Sequence, residues 1–531
     1  MASLTISKDI EQGKIVVTFS YDPKFVAKVK SIKGHRWHPD KKYWSFPYSE
    51  DTLKEILSIF KGENIHVDST LQVSFNQNTD KRVPNQAQIT EVAKKEKGLP
   101  ITLSHEDMIK VSENREFYKL PSLLQSLFEG KVELLPSVNE LFELELAYLE
   151  YNCLPKEDLS DRLAYFKSVD GKFTKHFLMY NHPTKALTDN RSANTKAYFE
   201  NGLFSTGYAT HGLFPYRGKF HPQLIKALIN IMGIKEGETI LDPMCGSGTT
   251  NIESALMGIN SYAIDLSPFC QFMTKVKYNS LSIDITLLKG ISNKSEQLFN
   301  FFSINEPQKQ LQEIKDIEKL KVYELAFLAF LDSLGYSKRV VKSSHKQLFT
   351  KVLKRYERTV VDFILNSSQY ISELGTVNIL EDTTAKKIPL EDSSIDGVIT
   401  SPPYSFAIDY VKNDEAQLKF LGYNVDDIRN EMVGLIGKNK NERLENYFKD
   451  MESVCSEVSR VLKKYKYFVM IIGSNTNQTG GIRLENIIIQ ICKKHNLTLV
   501  KSILKPIKGM RNTMKDEYIL FFQKRANHAK N

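Results

Sequence analysis

The chain reads as an α/β protein, a doubly wound parallel sheet carrying a helical insertion, with a small α+β domain at its N-terminal end. Three observations predict this. From about residue 205 onward, short apolar runs end in Asp, Ser or Gly and alternate with helical stretches, the rhythm of parallel strands joined by crossover helices. Between 278 and 376 the rhythm gives way to long helical spacing. The first 70 residues are set off by a polar, apolar-poor stretch over 71–100 that reads as a linker.

In the N-terminal part, Lys14–Phe19 is rich in β-branched residues and is predicted as a strand. Phe25–Ile32 and Thr52–Phe60 have helical apolar spacing, and Arg36–Pro47 reads as a hairpin turning at Pro39-Asp40 and holding both tryptophans of the chain. Residues 101–204 are mixed, with helical patterning from Leu120 to Leu154, and are a candidate target-recognition region. In the C-terminal part, strands are predicted at Glu238–Leu241, Ser261–Ile264, Val377–Leu380, Asp396–Thr400, Tyr467–Ile472, Leu497–Leu504 and Glu517–Phe522. Helices are predicted over Lys321–Leu334 and Leu348–Leu365 inside the insertion. Ligands of such sheets bind beyond the carboxyl ends of the strands. The chemically interesting residues fall there: Asp242, Asp265, Asp382 and Ser401.

Bulk composition narrows the class. Hydrophobic residues at 41% and charged residues at 25% suit packed cores and exclude wholesale disorder. Lys plus Arg number 72 against 63 acids, a net +9 that permits a polyanionic partner without establishing one. The five cysteines (Cys153, Cys245, Cys270, Cys455 and Cys492) form no C-x-x-C pair, so neither a metal site nor a disulfide framework is expected. The first residues contain no apolar signal core, and the longest apolar run, near Tyr467–Ile472, is too short to span a bilayer. A cytoplasmic protein without a membrane partner is expected.

The first strand of the sheet runs into Asp242-Pro243-Met244-Cys245-Gly246-Ser247-Gly248-Thr249-Thr250. Gly246 and Gly248 permit a sharp turn with a ligand against the main chain, and the following helix points its free amides at that ligand. An acid about 20 residues further on, here Asp265, is placed to accept hydrogen bonds from a ribose diol. The loop has neither of the phosphate-binding glycine patterns and no lysine follows it, while an acid stands at its mouth, which suits a cationic ligand such as a sulfonium. These residues resemble motifs I and II of the DNA amino-methyltransferases. Upstream, Arg217-Gly218-Lys219-Phe220-His221-Pro222 resembles motif X of the same family. The resemblance implies S-adenosyl-L-methionine as cofactor in a Rossmann-like methyltransferase fold. It implies a site made of Lys219, Phe220, His221, Asp242, Pro243, Cys245, Gly246, Gly248, Thr249 and Thr250, with Asp265 on the ribose and Asp382 on the adenine amino group.

The fourth strand delivers Ser401-Pro402-Pro403-Tyr404. An exocyclic base amine is a poor nucleophile because its lone pair is delocalised into the ring. Acceptors that draw its hydrogens out of plane restore nucleophilicity, and the Ser401 hydroxyl and Pro402 carbonyl can supply two. The prolines rigidly pre-set the direction of that carbonyl, and Tyr404 offers a face to a flipped base. The tetrad resembles the catalytic motif of the same family, in which serine or threonine in first place is usual for N4 of cytosine and aspartate or asparagine for N6 of adenine. C5-cytosine chemistry is disfavoured, since the chain has no Pro-Cys pair to supply a thiolate on this loop.

The N-terminal segment Gly34-His35-Arg36-Trp37-His38-Pro39-Asp40-Lys41-Lys42-Tyr43-Trp44 resembles the HepA-related-protein (HARP) domain found beside annealing-helicase motors. The resemblance implies a DNA-binding module, with Arg36, Lys41, Lys42, Tyr43 and Trp44 as candidates for phosphate contact and base stacking. The expectation is therefore a site-specific cytosine-N4 DNA methyltransferase acting on DNA, with a cognate restriction endonuclease as candidate partner. The rivals are an N6-adenine enzyme, a methyltransferase acting on RNA or a small-molecule amine, and a DNA-binding protein with a dead catalytic fold.

Overall fold

The computed structural model describes residues 3–9, 14–19, 22–39, 43–47, 50–60, 64–67, 126–180 without 136 and 139, 207–304 without 217, 307–337, 343–403, 409–473, 479, 481–507 and 516–526. The chain divides into two compact units, Met1–Gly98 and Leu99–Asn531. The linker expected over 71–100 lies outside the described residues.

The first unit is a five-stranded sheet carrying two helices. Its elements are β1 (Ser3–Asp9), β2 (Lys14–Phe19), α1 (Pro23–Ser31), β3 (Arg36–His38), β4 (Tyr43–Pro47), α2 (Glu50–Ile59) and β5 (Asn64–Val67). The strand order is β3-β4-β2-β1-β5, with β5 parallel to β1 and the other pairs antiparallel. Alternation on β1 and β2 turns Leu4, Ile6, Ile15 and Val17 toward Phe25, Val29 and Ile32 of α1 and Leu53 and Ile56 of α2. Asp22 starts α1 by accepting a hydrogen bond from the Lys24 amide at 2.8 Å, with Pro23 in the first turn where its missing N–H costs nothing.

The second unit is built on a seven-stranded sheet. Its elements are β6 (Val132–Leu134), α3 (Leu141–Cys153), β7 (Phe166–Val169), β8 (Lys172–Phe173), α4 (Pro222–Ile231), β9 (Thr239–Asp242), α5 (Thr249–Leu256), β10 (Asn260–Ala263), α6 (Pro268–Asn279), α7 (Ile317–Ser337), α8 (His345–Asn366), β11 (Val377–Ile379), β12 (Ile395–Thr400), α9 (Lys440–Val461), β13 (Leu462–Gly473), α10 (Leu484–Lys494), β14 (Leu497–Pro506) and β15 (Asp516–Lys524). The order is β11-β10-β9-β12-β13-β15-β14, parallel throughout except for β15, which lies antiparallel between β13 and β14. Each strand predicted in this region is present within a few residues, and the fold is the expected Rossmann-like α/β sheet.

Alternation along the strands divides the core into two faces. Ile240, Ile399, Val469, Ile471 and Phe521 pack with α3 and α4, while Leu241, Val398, Phe468, Met470 and Phe522 pack with α9 and α10. From β9 the chain steps outward through β10 to β11, then returns to the far side of β9 with β12 and β13. The two halves diverge at the carboxyl ends of β9 and β12, and a crevice opens there.

Residues 126–180 belong to this unit. Leu144, Leu149 and Phe166 share one core with α4 and the sheet. The buried Glu150 carboxylate accepts from the amides of Ala164 and Tyr165 and from Asn230 Nδ2 of α4 at 2.9–3.0 Å. The insertion is helical as expected, and Tyr356 of α8 anchors it: its hydroxyl accepts from the Phe214 amide at 2.7 Å and donates to Asp332 at 3.0 Å. Among the described residues no helix is long and apolar enough to cross a membrane.

Candidate active site

The cleft opens at the switch between β9 and β12. It encloses about 1000 Å³ including its solvent-open mouth, and Gly246, Asp265, Ser401 and Pro403 all border it. Gly246 and Asp265 lie far from Ser401 and Pro403 in the sequence, and the return of the chain beside β9 brings the two pairs together.

The loop after β9 is held from three sides. The Cys245 amide donates to the Ile264 carbonyl at 2.9 Å, the Gly246 amide to Asp265 Oδ2 at 2.8 Å, and Lys277 Nζ of α6 to the Ser247 carbonyl at 3.2 Å. Gly248 caps α5 in the left-handed region, φ 74°, and a Cβ there would fall 2.6 Å from Thr274 Cγ2. The Lys277 ammonium is fully buried, and that burial, then Lys219, drives its pKa well down. Nothing in the local sequence marks this lysine as a support of the loop.

Asp242 is fully buried at the end of β9. Its Oδ1 accepts from the Met244 amide at 3.2 Å and from the Thr400 hydroxyl at 2.9 Å, which ties the last residue of β12 to the cofactor loop. Its Oδ2 has no partner of hydrogen-bond geometry among the described residues; the equally unpaired Thr250 hydroxyl lies beside it. Burial raises the Asp242 pKa to about 7, against the pull of Thr250 and Thr400. Asp265 accepts from the Gly246 and Ser267 amides, both at 2.8 Å, and burial raises its pKa as well.

The other expected cofactor residues divide in two. Lys219, Phe220, Pro243, Cys245 and Thr249 border the cleft. Lys219 Nζ donates to the His211 carbonyl at 2.9 Å, and burial lowers its pKa to about 8. His221 instead caps α4 ahead of Pro222, and burial, then Lys219, lowers its pKa to about 4, so the imidazole is neutral. Thr250 is buried on α5, behind the cleft wall. Asp382 is exposed, with φ 54°, and is not among the residues that border the cleft, whereas Thr384, Ala385 and Lys386 are.

On the catalytic loop, Ser401 and Pro403 face the cleft while Pro402 is buried beneath them. Tyr404 lies outside the described residues. Sequence reasoning missed an aromatic wall, Tyr216 stacked on Tyr410 with centroids 6.4 Å apart and planes at 18°, and a buried acid, Asp414. Their only signal was proximity to the two recognised motifs.

The donor set fits the implied cofactor. Unpaired buried oxygens on Asp242, Ser247 and Thr250 surround a glycine loop at the start of a helix, and acids dominate the loop's surroundings. A cleft bordered by Asp265, Asp414 and Glu431 favours a ligand with an ammonium and a sulfonium.

In the first unit, Arg36 is exposed on β3 and Tyr43 is half-buried. Trp44 is only 8% exposed and belongs to the core, while Trp37, packed against it with ring centroids 5.1 Å apart and planes tilted by 46°, is 44% exposed. Lys41 and Lys42 lie outside the described residues.

Residues 213–329 match the family model of the RMKL-like methyltransferase domain. Residues 395–531 match that of the DNA methylases. Both matched segments lie on the Rossmann-like sheet described above, and both models are of methyltransferases, which implies S-adenosylmethionine as the cofactor. The chain is similar to DNA methyltransferases in particular. It is 25% identical over 314 residues to the Type II methyltransferase M.BsoBI of Geobacillus stearothermophilus, covering 48% of this chain and 62% of that protein. It is 23% identical over 398 residues to the Type II methyltransferase M.MvaI of Kocuria varians, covering 59% and 87%. A solved S-adenosylmethionine-dependent methyltransferase from Methanosarcina mazei superposes with a TM-score of 0.27 at 11% identity, over 55% of this chain and 95% of that one.

Proposed function

We propose that the chain transfers a methyl group to the N4 amine of cytosine within a DNA sequence. The observation that carries this reading is the hydrogen bond from Thr400 to Asp242, which sets the Ser401-Pro402-Pro403 turn against the cofactor loop in one cleft. S-adenosylmethionine supplies an electrophilic methyl group on a sulfonium. Asp242 and the Gly246 loop hold the methionine end, and Asp265 holds the ribose. Ser401 and the Pro402 carbonyl accept the two amine hydrogens and free the nitrogen lone pair to point along the transfer axis. The proton that the nitrogen gives up on methylation leaves along one of these hydrogen bonds. Positioning suffices, and no covalent intermediate on the protein is needed.

The serine in first place favours cytosine over the adenine rival. The intact acids and glycine loop favour an enzyme over a dead fold. The first unit supports DNA as substrate through exposed Arg36 and Trp37, in keeping with its HARP-like sequence. Since relatives are named Type II methyltransferases, we read the chain as the modifying member of a restriction–modification pair, with an endonuclease of the same site specificity as partner.

The test is mass spectrometry of nucleosides from DNA incubated with the chain and S-adenosylmethionine. N4-methylcytosine is expected, and Ser401→Ala should lower turnover far more than cofactor affinity. N6-methyladenine would replace the cytosine reading and leave the enzyme class standing. An RNA substrate methylated in preference to DNA in direct competition would overturn the DNA reading.

A further inference from the structure

Asp414 follows the short helix Tyr410–Asn413 and is 6% exposed, yet it borders the cleft. Its backbone begins the helix Glu415–Phe420, but its carboxylate caps nothing there and has no hydrogen-bond or ion-pair partner among the described residues. With no protein donor, a carboxylate that is largely buried and borders the cleft is open to a donor carried by a ligand there.

Tyr216 from one stretch of chain and Asp265 and Cys270 from another border the same cleft. Tyr216 and Cys270 meet at 3.6 Å between hydroxyl and sulfur. Burial, then the Asp265 carboxylate, raises the Asp414 pKa to about 7. No group of three or more His, Cys, Asp or Glu among the described residues could hold a metal ion, so a shared cation does not explain the two acids. A neutral group with two adjacent O–H donors does: one hydroxyl for each acid, with no buried positive charge required. Two acids at this place would also repel a phosphorylated ribose.

We propose that Asp414 is a second acceptor for the cofactor's ribose diol, opposite Asp265, so that the segment after the catalytic loop takes part in holding the cofactor. This rests on the reading of the cleft as a S-adenosylmethionine site. It gives the catalytic-loop side of the cleft a direct hold on the cofactor, in addition to the Thr400–Asp242 bond beneath it.

The test is calorimetry on the full chain with S-adenosylhomocysteine and its 2′-deoxy and 3′-deoxy counterparts, none of which requires turnover. A hydrogen bond to a charged acceptor is worth on the order of tenfold in affinity or more. Asp414→Asn and Asp414→Ala should therefore weaken S-adenosylhomocysteine by about tenfold or more. The loss should largely vanish against the deoxy ligand that lacks the hydroxyl facing Asp414. The exposed neighbour change Glu415→Gln should leave all three affinities unaltered, and Asp414→Asn, nearly isosteric, guards against a variant that fails to fold. Equal losses for all three ligands, or no loss, would overturn the proposal while leaving the cofactor site intact. Tighter binding of Mn²⁺ by the parent than by Asp414→Asn, with S-adenosylhomocysteine affinity unmoved, would make Asp414 a cation ligand and overturn it equally. Failure of the unaltered chain to bind S-adenosylhomocysteine would overturn the reading of the cleft itself.

Discussion

Replacing Gly248 by alanine tests whether the cofactor loop is shaped by backbone conformation and close packing together. Gly248 has φ 74° and ψ 26°, a region where an L-residue is less stable by about 1–2 kcal/mol. The new Cβ would lie 2.6 Å from Thr274 Cγ2 and 2.7 Å from its Oγ1, and Thr274 is fully buried on α6 with no room to withdraw. Overpacking of this kind costs about 1–3 kcal/mol. Gly248→Ala should thus destabilise the second unit by about 2–5 kcal/mol. It should also weaken S-adenosylhomocysteine binding, since the loop must shift. In a Thr274→Ala background the Cγ2 and Oγ1 contacts are gone and only the Cβ at 3.0 Å remains, so the same substitution should cost less, approaching the backbone component of about 1–2 kcal/mol. The assay is chemical denaturation followed by far-UV circular dichroism. Tryptophan fluorescence would mislead, because both tryptophans, Trp37 and Trp44, sit in the first unit. An identical cost of Gly248→Ala in both backgrounds would refute the packing argument.

Asp265→Ala removes the acceptor of the Gly246 and Ser267 amides along with the proposed ribose contact, and calorimetry should show cofactor affinity falling by tenfold or more, a charged hydrogen bond's worth of about 1.5–3 kcal/mol. Burial raises the Asp242 pKa from the ordinary carboxylate range to about 7, so the stability it contributes is full below that ordinary range and is lost as the pH rises through about 7. Asp242→Asn should therefore raise the melting temperature of the ligand-free chain more at pH 8 than at pH 5, and should weaken cofactor binding at pH 8; a melting shift independent of pH would contradict the burial argument. A chain starting near residue 96 should keep its cofactor affinity, because every cofactor residue lies in the second unit, and should lose DNA affinity most at low salt. Overlapping salt titrations of DNA binding for the full and shortened chains would show that the first unit does not engage DNA.

The strands of the large sheet were legible in the sequence because each is a short apolar run closed by a polar residue, a pattern that burial on both faces imposes locally. The same local signal marked Asp242, Asp265 and Ser401, since a residue that ends a buried parallel strand is carried to the binding edge whatever its neighbours are. The two helices of the first unit and the long helices of the insertion were legible for a similar reason, the spacing of their apolar residues. What the tertiary structure alone decided depends on contacts between distant segments. Only the return of β12 beside β9 brings Thr400 to Asp242, and only the packing of the insertion on α6 and on the 207–216 segment brings Tyr216 and Asp414 to the cleft that Asp265 borders. Residues 126–180 joined the sheet's core because α3 is buried on nearly every side, which no single periodicity reveals. Asp382 follows β11 as expected, yet it is exposed and does not border the cleft. A carboxyl's charge, too, is a property of its surroundings: sequence names Asp414 and Asp242 as acids, but the depth at which the fold buries them sets whether they are charged near neutral pH.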